Sequence, residues 1–233
     1  MPLPSPLQKI KNAIARYFSP VDWPWEIISG LIIILLLINN FKTFSKEQTT
    51  LDVVVFCLIM IAVNFLWGSV DGLMYVFTSL LEKGRYNKMV TTLKTGAKNT
   101  IRETLANDLD KTIIGMTDKH TAQQVMQMLL DAIAATDIAA LKKPSISRDD
   151  INGALLHVFF VFSPGIVILP IFLGLSFKSL DWAIWSSNII GSMIFFAFGY
   201  KLGSCTNRNK ILTGAAFMLI DLTIVALAII IGA

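Results

Sequence analysis

Five apolar runs punctuate the chain, at residues 25–41, 53–81, 151–177, 182–200 and 211–232. Each is close to or above the ~20 apolar residues that carry a helix across a bilayer. The first is the shortest. The pattern predicts an all-α integral membrane protein, with five transmembrane helices and a cytosolic helical insert between the second and third. Its parts are an N-terminal segment at 1–24, spans one and two within 25–83, the insert at 84–148, and spans three to five within 149–233. Before the first span, Leu7, Ile10, Ile14 and Tyr17 recur at helical spacing with Lys9, Lys11 and Arg16 on other faces. Residues 6–18 therefore read as an amphipathic helix lying on the inner leaflet, and Trp23, Pro24 and Trp25 mark the interface. No cleavable signal peptide is apparent.

The insert is polar and rich in Thr and Lys. Met89, Leu93, Ile101 and Leu105 predict a helix over 86–106 that prolongs the second span, and residues 108–118 read as a turn. A second helix is expected over 121–141, with Thr121 as its N-cap and Val125, Met128, Leu129, Ala132 and Ile133 as its buried side. Ser147 and Asp150 form a capping-box-like start to the third span. An insert of this size has little core of its own, which predicts a homodimer with two inserts side by side.

Composition agrees with the pattern. With 54% hydrophobic residues, 15% charged residues and mean hydropathy +0.63, a chain of 233 residues has more apolar surface than a soluble domain could bury. Charge then sets orientation. If all five runs cross, seventeen Lys and Arg fall on the side of the N-terminus, the insert and the loop at Lys201–Lys210, against Lys42, Lys46 and Lys178 on the other. The positive-inside rule places the N-terminus and insert in the cytoplasm and the C-terminus outside. The net charge of +4 and pI near 9.1 follow from topology, and no nucleic-acid partner is needed. Cys57 in a span and Cys205 in a loop do not suggest a structural disulfide.

The second span carries the chemistry. Asp71 lies deep within it, and a carboxylate at bilayer depth costs at least ~2.5 kcal/mol, so such residues usually face protein or water. At about 100° per residue, Met60, Asn64, Gly68, Asp71, Tyr75, Thr78 and Glu82 fall within roughly 40° of one line. This polar stripe resembles the wall of an ion path: Tyr75, Thr78 and Glu82 lead in from the cytosol, and Asn64 and Met60 lead onward. Met60 and Met74 flank Asp71, and thioether with carboxylate is a ligand set for a divalent ion such as ferrous iron. Methionine is also a common filler of cores.

The other spans add less. Pro164 and Pro170 in the third leave carbonyls near Phe160 and Ile166 without their helical donors. Ser186, Ser187, Asn188, Gly191 and Ser192 in the fourth suit close packing. Asp221, half-way along the fifth, is either a member of the path or a buried acid hydrogen-bonded to a neighbouring Ser or Asn. The first run shows no acid in its interior. The insert offers only scattered acids and His120, with no E-x-x-E or E-x-x-H pair. No phosphate-binding glycine loop, catalytic Ser/His/Asp pattern or CxxC is present, which argues against an enzyme and against a bound cofactor.

The layout, the proline-marked "SPGIVILPIF", the C-terminal "FFAFGYKLGSCTNRNKILTGAAFMLIDLTIVALAIIIGA", and Gly68, Asp71, Gly72, Leu73 and Phe77 in a G-x-x-D-G-L-x-x-x-F pattern resemble the vacuolar iron transporter family. In that family the Asp-Gly motif belongs to the first span, and plant and fungal members carry a glutamate-rich metal site in the insert. Here the motif is in the second span and that site is not visible. The resemblance implies a dimeric, proton-coupled antiporter that exports ferrous iron or a similar divalent metal, such as manganese, from the cytosol. On this reading the path runs between second spans, and Asp71 exchanges cation and proton. The alternative is a non-transporting membrane scaffold whose cytosolic helices bind a partner protein.

Overall fold

The computed structural model describes residues 14–18, 22–45, 49–96 and 98–232. Leu7, Ile10 and most of the predicted surface helix lie outside the described residues; Ile14 and Tyr17 fall in a helical stretch at 14–17. No strand occurs among the described residues. The helices are α1 (Asp22–Asn39), α2 (Phe41–Phe44), α3 (Thr50–Lys94), α4 (Lys98–Leu109), α5 (Lys119–Ala135), α6 (Arg148–Ser176), α7 (Leu180–Cys205) and α8 (Lys210–Gly232). Of these, α1, α3, α6, α7 and α8 are long and apolar enough to cross a membrane, consistent with a multi-pass membrane protein.

Two compact units result, Met1–Tyr75 with Ile151–Ala233, and Val76–Asp150. The first is built around α1. Leu31, Ile34, Leu35 and Ile38 are fully enclosed and meet Met60 from α3, Ile168 and Phe172 from α6, and Ala183 and Phe195 from α7. Among helices in lipid such a core is held by tight packing more than by exclusion of water, and glycines let the backbones approach. A Cβ on Gly30 would stand 1.9 Å from the Val161 carbonyl oxygen, and one on Gly72 would stand 2.7 Å from that of Ala154. The α7–α8 turn uses Asn207 at φ 54°, a conformation Asn tolerates, and Asn209 Oδ1 accepts from the amides of Ile211 and Leu212 at 3.1 Å each to cap α8.

Helix α6 runs through both of its prolines. The Phe160 carbonyl that Pro164 cannot satisfy accepts the Ser163 hydroxyl at 2.8 Å, so a local side chain takes the place of the missing amide.

The second unit has its own small core of Val90, Ile101, Leu105, Met126, Leu130 and Ile133. The predicted continuous helix over 86–106 is broken, because Gly96 adopts φ +92° and ends α3. Asp118, three residues ahead of Thr121, is the N-cap of α5 and accepts from the Thr121 amide at 2.9 Å. That helix stops at Ala135, and Asp137 then caps a short 3₁₀ turn, Ile138–Ala140. Its buried stripe is Met126, Leu130 and Ile133; Met128, Leu129 and Ala132 are exposed. Of the predicted buried positions, only Ile133 is fully covered. The Ser147–Asp150 capping box forms as expected, the Ser147 amide donating to Asp150 at 2.7 Å and the Asp150 amide to Ser147 Oγ at 3.2 Å. Asp150 also accepts from Ser79 and pairs with Lys83.

Candidate functional site

Close approach of α3 and α6 sets the site. Gly68 and Gly72, one turn apart, lie against Val158 and Ala154, and Gly153 leaves room for the Tyr75 ring, which a Cβ there would meet at 2.3 Å. Asp71 and Tyr75 are thereby turned toward α6, where His157 projects. From α1 comes Glu26, whose Oε1 lies 2.9 Å from His157 Nδ1, both side chains being nearly covered at 13% and 12% exposure. The Asp71 carboxyl lies in hydrogen-bonding reach of Glu26 and in the field of His157. The imidazole is held between Phe18, with ring centroids at 4.4 Å, and Tyr75 at 5.0 Å, while its Nε2 is buried with no hydrogen-bond partner among the described residues.

Three elements thus bring two carboxyls and an imidazole together. Two carboxyl groups in contact repel unless a proton is shared between them, and an adjacent imidazole can supply or accept that proton. The cluster can store and pass protons. It opens on a cavity of about 670 Å³, whose wall includes Trp23, Glu26, Tyr75, His157, Phe198 and Lys201.

A second cavity, of about 400 Å³, lies at the opposite end of α1. There Asn39 and Asn188 exchange amide hydrogen bonds at 2.9 Å each, Ser192 joins the wall, and Lys42 pairs with Asp181. Glu26 and Asn39 are thirteen residues apart, about 20 Å along a helix. The enclosed side chains Leu31, Ile34, Leu35 and Ile38 fill the interval.

The residues singled out from sequence are divided by the fold. Asp71 and Tyr75 join the cluster. Asn64 is 1% exposed, donates to the Val161 carbonyl at 3.3 Å and leaves Oδ1 unpaired. Met60, with no exposed surface, belongs to the apolar core, about 16 Å along the helix from Asp71. Met74 is 58% exposed on the outer face. Thr78 and Glu82 are exposed and belong to the second unit. Asp221 is buried apart from the cluster, accepting from Ser192 with its Oδ1 unpaired. Among the described residues, no three His, Cys, Asp or Glu side chains stand close enough to hold a metal ion together.

Glu26 and His157 were not anticipated. Glu26 falls inside the first apolar run, but beside Trp25 and Pro24 it reads as an interfacial residue. His157 lies six residues into the third run, and an ionisable residue in such a run is itself the signal that identifies it. Within the chain Asp71 faces α1 and α6, because the Gly68–Gly72 pair packs α3 on α6.

No profile of a known protein family matches the chain, and no curated protein matches it.

Proposed function

We propose that this protein is a multi-pass membrane transporter that moves a cation out of the cytosol in exchange for protons, with Glu26, Asp71 and His157 as the exchanging groups. The observation that carries the reading is the meeting of these three ionisable side chains from three apolar helices, two of which, Glu26 and His157, line a cavity. Ionisable residues in such segments mark ion and proton pathways. The two cavities at the ends of α1, divided by a close-packed apolar layer, fit a carrier that exposes its site to one side at a time better than an open channel. A divalent metal, ferrous iron or manganese, is the cargo that the family resemblance implies, and a homodimer is the assembly it implies.

Flux into proteoliposomes bearing a pH gradient tests this, with wild type compared against Asp71→Asn and Glu26→Gln. Cation flux that needs the gradient and falls at least about tenfold in both variants, about 1.4 kcal/mol, is the expected outcome. Absence of flux for every cation in wild type would return the protein to the scaffold reading, in which the second unit binds a partner.

A further inference from the structure

We propose that Tyr75, seated by Gly153, is a positioning residue for proton exchange at His157, an inference that rests on the transport reading of the same site. A single hydrogen bond does not fix an imidazole. His157 Nδ1 meets Glu26 Oε1 at 2.9 Å, while Nε2 has no hydrogen-bond partner among the described residues. The ring is free to turn about its bond to Cβ, or to reverse and offer its other nitrogen, unless its faces are held. Two rings hold it. Phe18 stands at 4.4 Å between centroids with the planes 40° apart, and Tyr75 at 5.0 Å with the planes 36° apart.

Of the two, Tyr75 is tied to the acids. It follows Asp71 by one turn of α3, so the two share a face of that helix. On α6, Gly153 precedes His157 by one turn, and the Tyr75 ring fills the space over the glycine. A Cβ on Gly153 would stand 2.3 Å from Tyr75 Cε1, 2.6 Å from Cζ and 2.8 Å from the phenolic oxygen. These atoms are the far end of a side chain rather than backbone, so a methyl group at Gly153 displaces the ring by about 1 Å, to ordinary contact distance, without parting the helices. Glycine and imidazole are thus two edges of a slot for one tyrosine ring, and the filled slot keeps His157 turned to Glu26. Reactions between positioned groups depend steeply on placement, and an error of about 1 Å can cost on the order of 100-fold. The ring of Tyr75, rather than its hydroxyl, has this role.

Two readouts on the full-length protein test this. Histidine occurs only at positions 120 and 157, so protein labelled with ¹⁵N in its histidine rings gives one set of signals for each, and exposed His120 is the internal reference. The His157 ring N–H is shielded whichever nitrogen carries the hydrogen, Nδ1 by Glu26 and Nε2 by burial. Its exchange with water should be at least about tenfold faster in Tyr75→Leu and Gly153→Ala, but within about twofold of wild type in Tyr75→Phe. Manganese uptake into proteoliposomes bearing a pH gradient should follow the same order, the maximal rate falling at least about tenfold in the first two variants and the half-saturating concentration staying within about twofold in all three. Tyr75→Phe as slow as Tyr75→Leu would give the role to the hydroxyl and overturn the proposal. So would wild-type exchange or a wild-type rate in Tyr75→Leu, or a loss confined to half-saturation. With no manganese flux in wild type the failure falls on the transport reading, and ring exchange alone decides whether Tyr75 positions His157.

Discussion

His157 Nδ1 lies 2.9 Å from Glu26 Oε1, joining two helices whose residues are 131 positions apart in the chain. Each side chain is nearly covered. Removing one partner leaves the other buried with its hydrogen-bonding capacity unmet, at a cost of about 1–3 kcal/mol. His157→Gln and Glu26→Gln should therefore each lower stability and flux, while the double variant should lose less than the sum of the two. A double-mutant cycle on flux and on thermal unfolding in detergent measures this coupling; strictly additive losses would show that the pair does not act as a unit.

The glycines that seat α1 and α3 on α6 predict a purely steric effect. Gly30→Ala places a methyl group 1.9 Å from the Val161 carbonyl oxygen, and Gly72→Ala places one 2.7 Å from that of Ala154. Backbone cannot yield as a side-chain tip can. Both variants should destabilise by about 1–3 kcal/mol, seen as a lower unfolding temperature. Gly174→Ala, where nothing lies within 4 Å, should be tolerated.

The five long helices were legible in the sequence because a continuous apolar run needs only length and composition to be recognised. The site was half legible. Asp71 and Tyr75 stand out on one helix, but their partners come from helices 45 positions before and 86 after Asp71, and nothing local to α3 points to Glu26 or His157. Glycine spacing decides which helix faces the acid, and Gly68 was placed within the polar stripe when its work is to admit Val158. In the second unit the observed stripe of α5 lies one position on from the expected one, Met126 and Leu130 in place of Val125 and Leu129 with Ile133 common to both, because Val125, Met126, Leu129 and Leu130 are all apolar and helical periodicity alone does not choose between two adjacent faces.

Met60 and Met74 separate two explanations of methionine near an acid. Met60→Ala should cost about 2–5 kcal/mol, since it empties a fully enclosed position. Met74→Ala removes an exposed side chain and should change stability by less than about 0.5 kcal/mol. Loss of flux in the Met74 variant with stability unchanged would restore a thioether to the cation path.

Asp118 predicts an acid-sensitive helix start. Its carboxylate is held below the ordinary range chiefly by the Thr121 hydroxyl, and then by the Thr121 amide, both of which donate to it. A group whose folded pKa is depressed contributes stability that is present above its unfolded pKa and is lost as pH falls through the folded value. The first turn of α5 should therefore be fully capped at neutral pH and fray below about pH 4. Amide-proton exchange at Thr121 followed against pH checks this, and Asp118→Asn, which can still cap, should remove most of the pH dependence.

Asp221 and Ser192 supply the last test. The carboxyl is fully covered, accepts from the Ser192 hydroxyl and leaves its second oxygen unpaired, in a first unit whose other acid–base cluster lies elsewhere. If Asp221 serves structure, Asp221→Asn keeps an oxygen for Ser192 and should preserve flux within about twofold, whereas Asp221→Leu strands the hydroxyl and should lower stability by about 1–3 kcal/mol. If Asp221 carries protons, the asparagine variant fails as completely as the leucine one, since an amide cannot exchange a proton at neutral pH. Flux and unfolding temperature measured on the same two variants therefore separate a buried hydrogen-bond anchor from a second station on the path.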